Sequence, residues 1–251
     1  MGKIEFMISK LPVLLSALPE TLSMLFISVF IAFVLGMILT CGKLSKNIVL
    51  RVLSNIYISF MRGTPMVVQL LLAFILIPKT LNSAGIATNT WDNVIFAIIS
   101  FSLNEAAFFA EIFRGAYLDI DKGQIEAGES MSMTKFQIFR RIIFPQAAAI
   151  ALPNTMNMTI ELMKNTSIGM AIGVVDVMGM AKQISYNAYG VGQTEIFIIT
   201  GVIYWIMGMI LSGISSALTE RLNRCNSPMV IEKKPRMFFS LRRGEAAWIL
   251  I

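Results

Sequence analysis

Polar and charged side chains stand inside otherwise apolar stretches of the chain, where they could bind a solute. Glu105 lies near the middle of one apolar stretch, and Asn154, Asn157 and Glu161 lie in a later one. An ionisable side chain at membrane depth usually faces a cavity or a partner. We therefore expect Glu105 to contact a solute, for example through an ammonium group, and the other three to line its path. The alternatives are a structural pair of Glu105 with Lys164, and hydrogen bonds that join helices.

Covalent chemistry of the common kinds is excluded by the residue types. The chain has no histidine, and its two cysteines, Cys41 and Cys225, are far apart in the sequence. Zinc sites of the usual type, a disulfide framework and histidine-based acid–base catalysis are thereby excluded. We expect no catalytic residue, no metal site and no cofactor bound by this chain.

A polar segment between apolar stretches is the second candidate site. The part from Lys122 to Pro145 reads KGQIEAGESMSMTKFQIFRRIIFP and predicts a short amphipathic helix flanked by basic residues. Small side chains in it permit the close approach of another surface. The apolar side chains of Met131, Met133 and Phe136 could fill a groove on a partner, as helical anchors do.

The composition places these residues in a lipid environment. Of the 251 residues, 56% are hydrophobic and 14% charged, whereas a soluble domain carries roughly 25% charged residues. Five apolar stretches are long enough to cross a hydrocarbon core of about 30 Å. In chain order, they are residues 22–40, 52–77 and 94–113, a span within 144–178, and residues 196–218. We therefore predict an all-α integral membrane protein with five transmembrane helices.

The second stretch is interrupted by the sequence Arg62-Gly63-Thr64-Pro65. An arginine at mid-bilayer costs about 2.5–3.5 kcal/mol even on the lenient insertion scale. We therefore expect this interruption at the cytoplasmic end of the second span.

Basic residues predict the domain limits and the orientation. The loops after spans one and three, together with the tail, hold about fifteen basic residues, and the other connections about four. This bias places the N-terminus outside and the C-terminus in the cytoplasm. We divide the chain into an N-terminal amphipathic segment (1–21), a transmembrane domain (22–220) containing the polar segment 117–141, and a basic cytoplasmic tail (221–251). The net charge of +6 is then a membrane feature, and we expect lipid rather than nucleic acid as a partner.

The polar segment resembles the EAA loop of ABC-importer permeases, a pattern of E-A-A, a later glycine and I-x-L-P. Glu126-Ala127-Gly128 stands for E-A-A, Ser132 for the later glycine and Ile142 to Pro145 for the end. Gly128, Ser132 and Phe144 depart from the pattern by small-for-small or apolar-for-apolar changes. Further segments are similar to the polar amino-acid subfamily, namely Arg62 to Pro65, Ala107 to Gly115, Leu152 to Asn154 and Glu161 to Ser167.

The resemblance implies a type I ABC-importer permease fold in a bacterial inner membrane and a transport subunit that is not an enzyme. It implies a coupling helix that docks on a separate ATPase subunit through Glu126, Ala127, Gly128, Ser132 and Pro145. It also implies a second permease copy or paralogue, an extracytoplasmic solute-binding protein and a polar amino acid as solute. The chain lacks the G-x-x-x-x-G-K-[ST] phosphate loop, so ATP is expected on the partner.

Several alternatives stay open at this stage. Glu126 could be an ordinary charge at a helix N-terminus, and Gly128 and Ser132 could serve helix packing alone. For Glu111 and Arg114 we favour a structural role, because they lie near the cytoplasmic end of their span. At the level of function, the rivals are a transporter or channel driven by an ion gradient, which needs a coupling-ion site at the midplane, and a membrane sensor that does not transport.

Overall fold

The computed structural model describes residues 3–88 and 90–226, and this part of the chain is helical with no β-strand. Four helices, Leu18–Leu44, Met66–Ser83, Asn93–Leu118 and Gln193–Leu222, are each long and apolar enough to cross a membrane. The pair Lys135–Ile172 and Val177–Asn187, bent by 44° relative to each other, is a fifth candidate if it crosses as one broken span. The described helices thus provide four to five candidate spans, in agreement with the all-α membrane protein expected from the sequence. The α-helices in chain order are α1 Lys3–Ser16, α2 Leu18–Leu44, α3 Ile48–Gly63, α4 Met66–Ser83, α5 Asn93–Leu118, α6 Lys122–Ser130, α7 Lys135–Ile138, α8 Phe144–Asn165, α9 Val177–Asn187 and α10 Gln193–Asn226.

Short polar side chains cap the first turn of five of the helices. The Asp92 carboxylate accepts a hydrogen bond from the Val94 amide at the start of α5. Hydrogen bonds of the same kind, from an amide of the first turn to a side-chain oxygen, are accepted at the starts of α3, α6 and α9 by Asn47, Asp121 and Asp176. Such caps satisfy amides that have no partner within the helix, so the sequence itself positions these helix starts.

The bundle has two ends, which we name by the short helices they carry. At the α1 end, the Asn93 side chain donates a hydrogen bond to the Ile172 carbonyl at 2.8 Å, and the Val177 amide donates to the Thr21 hydroxyl. At the α6 end, Lys43 of α2 forms an ion pair with Glu111 of α5. α2 and α5 therefore run side by side through the whole bundle.

The helix α5 occupies the centre of the bundle and is the only described span with most of its residues buried. It packs against α2, α3, α4 and α8. A Cβ atom at Gly36 of α2 would lie 2.8 Å from the Cβ of Phe109, so the missing side chain lets α2 and α5 approach closely. The outward faces of α2, α4 and α10 are apolar and exposed, with Phe30, Ile75 and Trp205 at least 60% exposed. These faces suit lipid or another apolar chain.

The second span differs from the expectation. Its interruption lies opposite Asn104, near the middle of α5, and not at the cytoplasmic end. The Asn104 amide donates to the Met61 carbonyl at 3.1 Å, and the Gln69 amide donates to the same carbonyl at 2.9 Å. Because proline lacks an amide hydrogen and excludes the helical conformation of the preceding residue, the helix must break at Thr64–Pro65. The break is tolerated inside the bundle because these amides satisfy the released carbonyls.

Arg62 is accommodated beside this break by an aromatic ring. Its guanidinium lies 5.5 Å from the centroid of the Phe108 ring. A cation–π contact of this kind offsets part of the cost of a charge at membrane depth. The insertion cost used to place the interruption is therefore lowered here, because it refers to an arginine without such a contact.

The N-terminal segment contains the helix α1, which packs on α9 and α10 of the bundle. Leu14 is fully buried, and the Phe6 ring lies against Gly192, where a Cβ would collide with it. α2 begins at Leu18, four residues before the predicted span, and α10 runs to Asn226. The rest of the predicted basic tail, residues 227–251, lies outside the described residues.

Candidate functional site

The EAA-like segment forms a short helix held at the α6 end of the bundle. The Asp121 side chain caps α6, and the Gln146 amide of α8 donates to the Gln124 side chain at 2.6 Å. Glu126 and Ala127 are exposed. Met131 and Phe136, on either side of the following turn, are 78% and 69% exposed. The segment therefore presents a carboxylate, a small residue and two large apolar side chains to a partner.

Gly128 faces the opposite way, into its own chain. It is buried, and a Cβ there would lie 3.0 Å from the Ile142 Cδ1 atom and 3.2 Å from Ile138 Cγ1. Its small size therefore lets α6 pack on the irregular turn 139–143 that leads into α8. The close packing of Gly128 is within the chain, and α6 is positioned by it.

Ser132 adopts a conformation that explains why a glycine stands at this place in the family pattern. Its φ is 58°, in the left-handed region, and it is one of two non-glycine residues with positive φ in the described part of the chain. Glycine reaches this region without steric cost, whereas other residues do not. Ser132 lies two residues after the end of α6, behind Met131, and turns the chain towards α7. Pro145, also expected at the site, lies in the first turn of α8.

A polar stripe runs along α8. Asn154, Asn157, Glu161 and Lys164 are all exposed, at the spacing i, i+3, i+7 and i+10 that places them on one face of a helix. Charged and amide side chains on a membrane-spanning helix are costly against lipid and normally face water or another chain. Asn154, Asn157 and Glu161, which the sequence analysis expects to line a path, therefore lie on one face of α8. Lys164 lies on the same face.

Glu105 lies behind this stripe on α5. It is 2% exposed, and its Oε1 atom has no hydrogen-bond partner in the described part of the chain. Glu161 lies on α8, which packs against α5. In the described part of the chain, no ion pair links Glu105 to Lys164, so the structural pair considered for them is not formed. Leaving a buried carboxylate oxygen unpaired is costly, and such a group usually has a role.

Glu111 and Arg114 have the structural role expected for them. Arg114 Nη2 lies 2.9 Å from Glu111 Oε2, and Lys43 pairs with the other carboxylate oxygen. This three-charge cluster ties α2 to α5 at the α6 end.

A cavity of about 420 Å³, largely open to the outside, lies between α8, α9 and α10, in the half of the bundle nearer the α1 end. One charged group, Lys164, lines it. The other lining residues are uncharged: Ser167, Met178, Phe197, Thr200, Gly201 and Tyr204.

A buried carboxylate stands behind the wall of this cavity. The Tyr204 hydroxyl donates to Asp176 Oδ2 at 2.9 Å, and the Gly179 amide donates to Oδ1 at 2.8 Å. Asp176 is fully buried.

Four polar residues with buried contacts were not indicated by the sequence patterns, namely Asp176, Tyr204, Gln69 and Asn104. An Asp just before an apolar run, as in Asp176-Val177, is the signal that could have indicated a helix cap there. No cluster of three or more potential metal ligands occurs among residues 3–88 and 90–226.

Known proteins share this sequence and this fold. A profile of the family described as "Binding-protein-dependent transport system inner membrane component" matches residues 14–224. The chain is 40% identical over 208 residues to YxeN, a probable amino-acid permease protein of Bacillus subtilis (strain 168), covering 83% of this chain and 90% of that protein. It is 34% identical to TcyL, an L-cystine transport system permease protein of the same strain, covering 87% and 91%.

A solved structure agrees with these sequence matches. The crystal structure of an amino acid ABC transporter with histidines superposes with a TM-score of 0.77 at 29% identity, covering 88% of this chain and 99% of that one. The fold, the apolar spans and the sequence similarity over most of the chain all agree with one family. The chain therefore belongs to the binding-protein-dependent transport system inner membrane components, and among them to the amino-acid ABC permeases.

Proposed function

We propose that this permease is the membrane-spanning subunit of an ATP-driven importer of a polar amino acid, and that it works by alternating access. The observation that carries the proposal is the exposed surface of the EAA-like segment at the α6 end. Glu126 and Ala127 stand there beside Met131 and Phe136, all exposed, on a helix fixed to α8. Such a surface suits docking into a groove of an ATPase subunit.

The polar stripe of α8 supports a second partner. Asn154, Asn157 and Glu161 are exposed within a membrane-spanning helix, and lipid is a poor neighbour for them. A second permease copy or a paralogue on this side would enclose a polar path between the two chains. ATP-driven closure of the ATPase pair would then tilt α8, through α6 and the turn 139–143, and open the path to one side at a time.

The remaining parts of the proposal follow from the class of relatives. An extracytoplasmic solute-binding protein delivers the amino acid, and ATP binds to the ATPase subunits and not to this chain. The α6 end faces the cytoplasm of a bacterial cell and the N-terminus lies outside, as the distribution of basic residues favours. Relatives are described as L-cystine permeases and as putative glutamine permeases, so a polar amino acid is the class we propose here.

Co-purification tests the coupling surface directly. The permease is co-expressed with its candidate ATPase subunit as wild type, as Glu126→Lys and as Glu129→Lys. Both glutamates are exposed on α6, but Glu129 lies outside the E-A-A motif. We expect wild type and Glu129→Lys to retain the ATPase and Glu126→Lys to lose it. Equal retention by all three variants would remove Glu126 from the coupling surface.

Uptake into proteoliposomes separates the proposal from its two rivals. Import that requires ATP and the binding protein and survives a protonophore supports the ABC mechanism. Import that the protonophore abolishes would favour the gradient-driven rival. An assembled complex without solute-dependent ATPase activity would favour a sensor.

A further inference from the structure

A second cavity, of about 430 Å³, opens at the α6 end beside the turn that leads into α8. It is lined by Phe136, Gln137, Arg140 and Arg141, and we call it the arginine cleft. Two guanidinium groups and no acidic side chain line it, so the cleft carries a positive charge. None of these residues belongs to the polar stripe of α8 or to the cavity near the α1 end.

The two arginines lack an anionic partner. In residues 3–88 and 90–226, neither Arg140 nor Arg141 forms an ion pair, and no hydrogen bond or ring contact engages its guanidinium group. Both residues are exposed. Two like charges on adjacent residues repel each other, and an anion between them reverses the sign of this interaction. An anionic ligand would therefore stabilise the arrangement.

The cap of α7 leaves a third donor at the cleft. Thr134 caps this helix, and the side-chain oxygen of Gln137 accepts a hydrogen bond from the Thr134 amide at 2.8 Å. The orientation of the Gln137 side chain is thereby fixed at its oxygen. Its amide nitrogen donates to no residue in the described part of the chain, so it can donate to a ligand.

The shape of the turn brings the two arginines to the same cleft. The Phe144 amide donates to the Phe139 carbonyl, five residues earlier, so the turn is π-helical. Such a turn is wider than an α-helix, and consecutive side chains are separated by a smaller angle. Arg140 and Arg141 can therefore both line the cleft although they are adjacent in the sequence.

A phosphate group has the chemistry that fits this cleft. The cleft offers donors, namely two guanidinium groups and one amide, and a phosphate offers acceptors. A guanidinium binds a phosphate through two parallel hydrogen bonds. The oxygens of one phosphate can engage both arginines, whereas the two oxygens of a carboxylate are used up by one bidentate contact.

We propose that the arginine cleft binds a phosphate group, carried by an anionic phospholipid of the cytoplasmic leaflet or by a soluble phosphate compound. The inference goes beyond the proposed function, because binding at the cleft requires neither the ATPase nor the solute. Only the assignment to the cytoplasmic leaflet uses the orientation proposed above.

The surroundings of the cleft favour a lipid as the source of the phosphate. Phe139 and Phe144 are each about half exposed, and their ring centroids are 6.1 Å apart. A helical segment with arginines on its polar side and phenylalanines beside them suits the surface of a membrane. Basic residues immediately cytoplasmic of a membrane-spanning helix attract anionic headgroups.

Lipid retention by the purified permease tests the site. The protein in neutral detergent is mixed with equal amounts of phosphatidylglycerol and phosphatidylcholine, and native mass spectrometry measures which lipid is retained. We expect wild type to prefer phosphatidylglycerol about tenfold, and Arg140→Gln/Arg141→Gln to lose this preference. Arg140→Lys/Arg141→Lys keeps the charge but not the paired hydrogen bonds, so its preference should be weaker than that of wild type.

Titration with inorganic phosphate and with ATP distinguishes the two sources. A preference for phosphatidylglycerol that depends on the two arginines identifies the lipid. Binding of inorganic phosphate or ATP, without retention of phosphatidylglycerol and with the same dependence on the arginines, identifies a soluble ligand. Unchanged unfolding midpoints show that each variant is folded.

The matched control is Lys46→Gln/Arg51→Gln, which removes two exposed basic side chains at the same end of the bundle but outside the cleft. It should retain phosphatidylglycerol like wild type. An equal loss in this control would show that net charge selects the lipid, and would overturn the site. A wild-type chain that binds none of the probes would also overturn it. The proposed function would stand in both cases, because Glu126→Lys tests the coupling surface separately.

Discussion

The side-chain amide of Asn104, in the middle of α5, donates a hydrogen bond to the backbone carbonyl of Met61 at 3.1 Å and another to the Gln69 side chain at 2.9 Å. Gln69 in turn donates to the same carbonyl. Two amide side chains thus replace the helical hydrogen bonds that Pro65 removes, and they join three helices at mid-depth. The break between α3 and α4 depends on this pair.

Replacing Asn104 with leucine should therefore destabilise the fold. The Met61 carbonyl keeps one donor, but the Gln69 oxygen loses its partner, and leaving a buried polar group unsatisfied costs about 1–3 kcal/mol. Thermal unfolding of the purified protein in detergent measures the loss. Asn157→Leu, at an exposed position of α8, is the control and should change the midpoint little. Equal midpoints for both variants would mean that the break is stable without the Asn104 amide.

Ser132→Gly should stabilise the protein, because the φ of 58° is strained for serine and relaxed for glycine. The left-handed conformation costs a non-glycine residue about 1 kcal/mol, and we expect a gain of that order. Ser130→Gly, at the last residue of α6, should not stabilise the protein, because Ser130 already has a helical conformation. Unfolding midpoints of the two variants decide this, and a gain at both positions would contradict it.

Gly128→Val should displace α6 and weaken ATPase retention. The added atoms would press on Ile138 and Ile142, and overpacking of this kind typically costs about 1–3 kcal/mol. The additional change Ile142→Ala makes room and should restore part of the retention. Gly123→Ala is the control, because its Cβ has only the Asp121 side chain within 4 Å. If the double variant retains no more ATPase than Gly128→Val alone, space at Ile142 is not the cause.

The ion pair of Lys43 with Glu111 should be measurable as a coupling between α2 and α5. Both side chains are partly buried, 21% and 17% exposed, and solvent screening limits the pair to about 1 kcal/mol. A double-mutant cycle of Lys43→Met and Glu111→Gln, followed by unfolding, isolates this term. Additive single effects would show that Arg114 alone holds Glu111.

Cysteine labelling tests the orientation in intact cells. In a background without Cys41 and Cys225, Asn187→Cys at the α1 end should react with an impermeant maleimide, and Ser130→Cys at the α6 end should react only after permeabilisation. Both positions are exposed. The reverse pattern would invert the topology that the basic residues predict.

The number of spans and the position of the short helix α6 could be read from the sequence, because both depend on local properties. Apolar length determines what can cross a bilayer, and Asp92 and Asp121 cap α5 and α6 through hydrogen bonds within two residues. The EAA-like pattern likewise lies in one continuous segment. The polar stripe on α8 follows from helical spacing alone once the helix is recognised.

Other features depended on contacts between distant parts of the chain. The depth of the break at Pro65 is decided by Asn104, some forty residues later, and by the Phe108 ring beside Arg62. Asp176 has a buried role because Tyr204 reaches it from α10. The Oε1 atom of Glu105 has no hydrogen-bond partner among the described residues, Lys164 included. This follows from the way in which α5 packs on α8. The sequence by itself determined which segments enter the membrane, since this requires only local composition; which polar groups meet inside it was decided by tertiary packing, since that depends on helix rotation and depth.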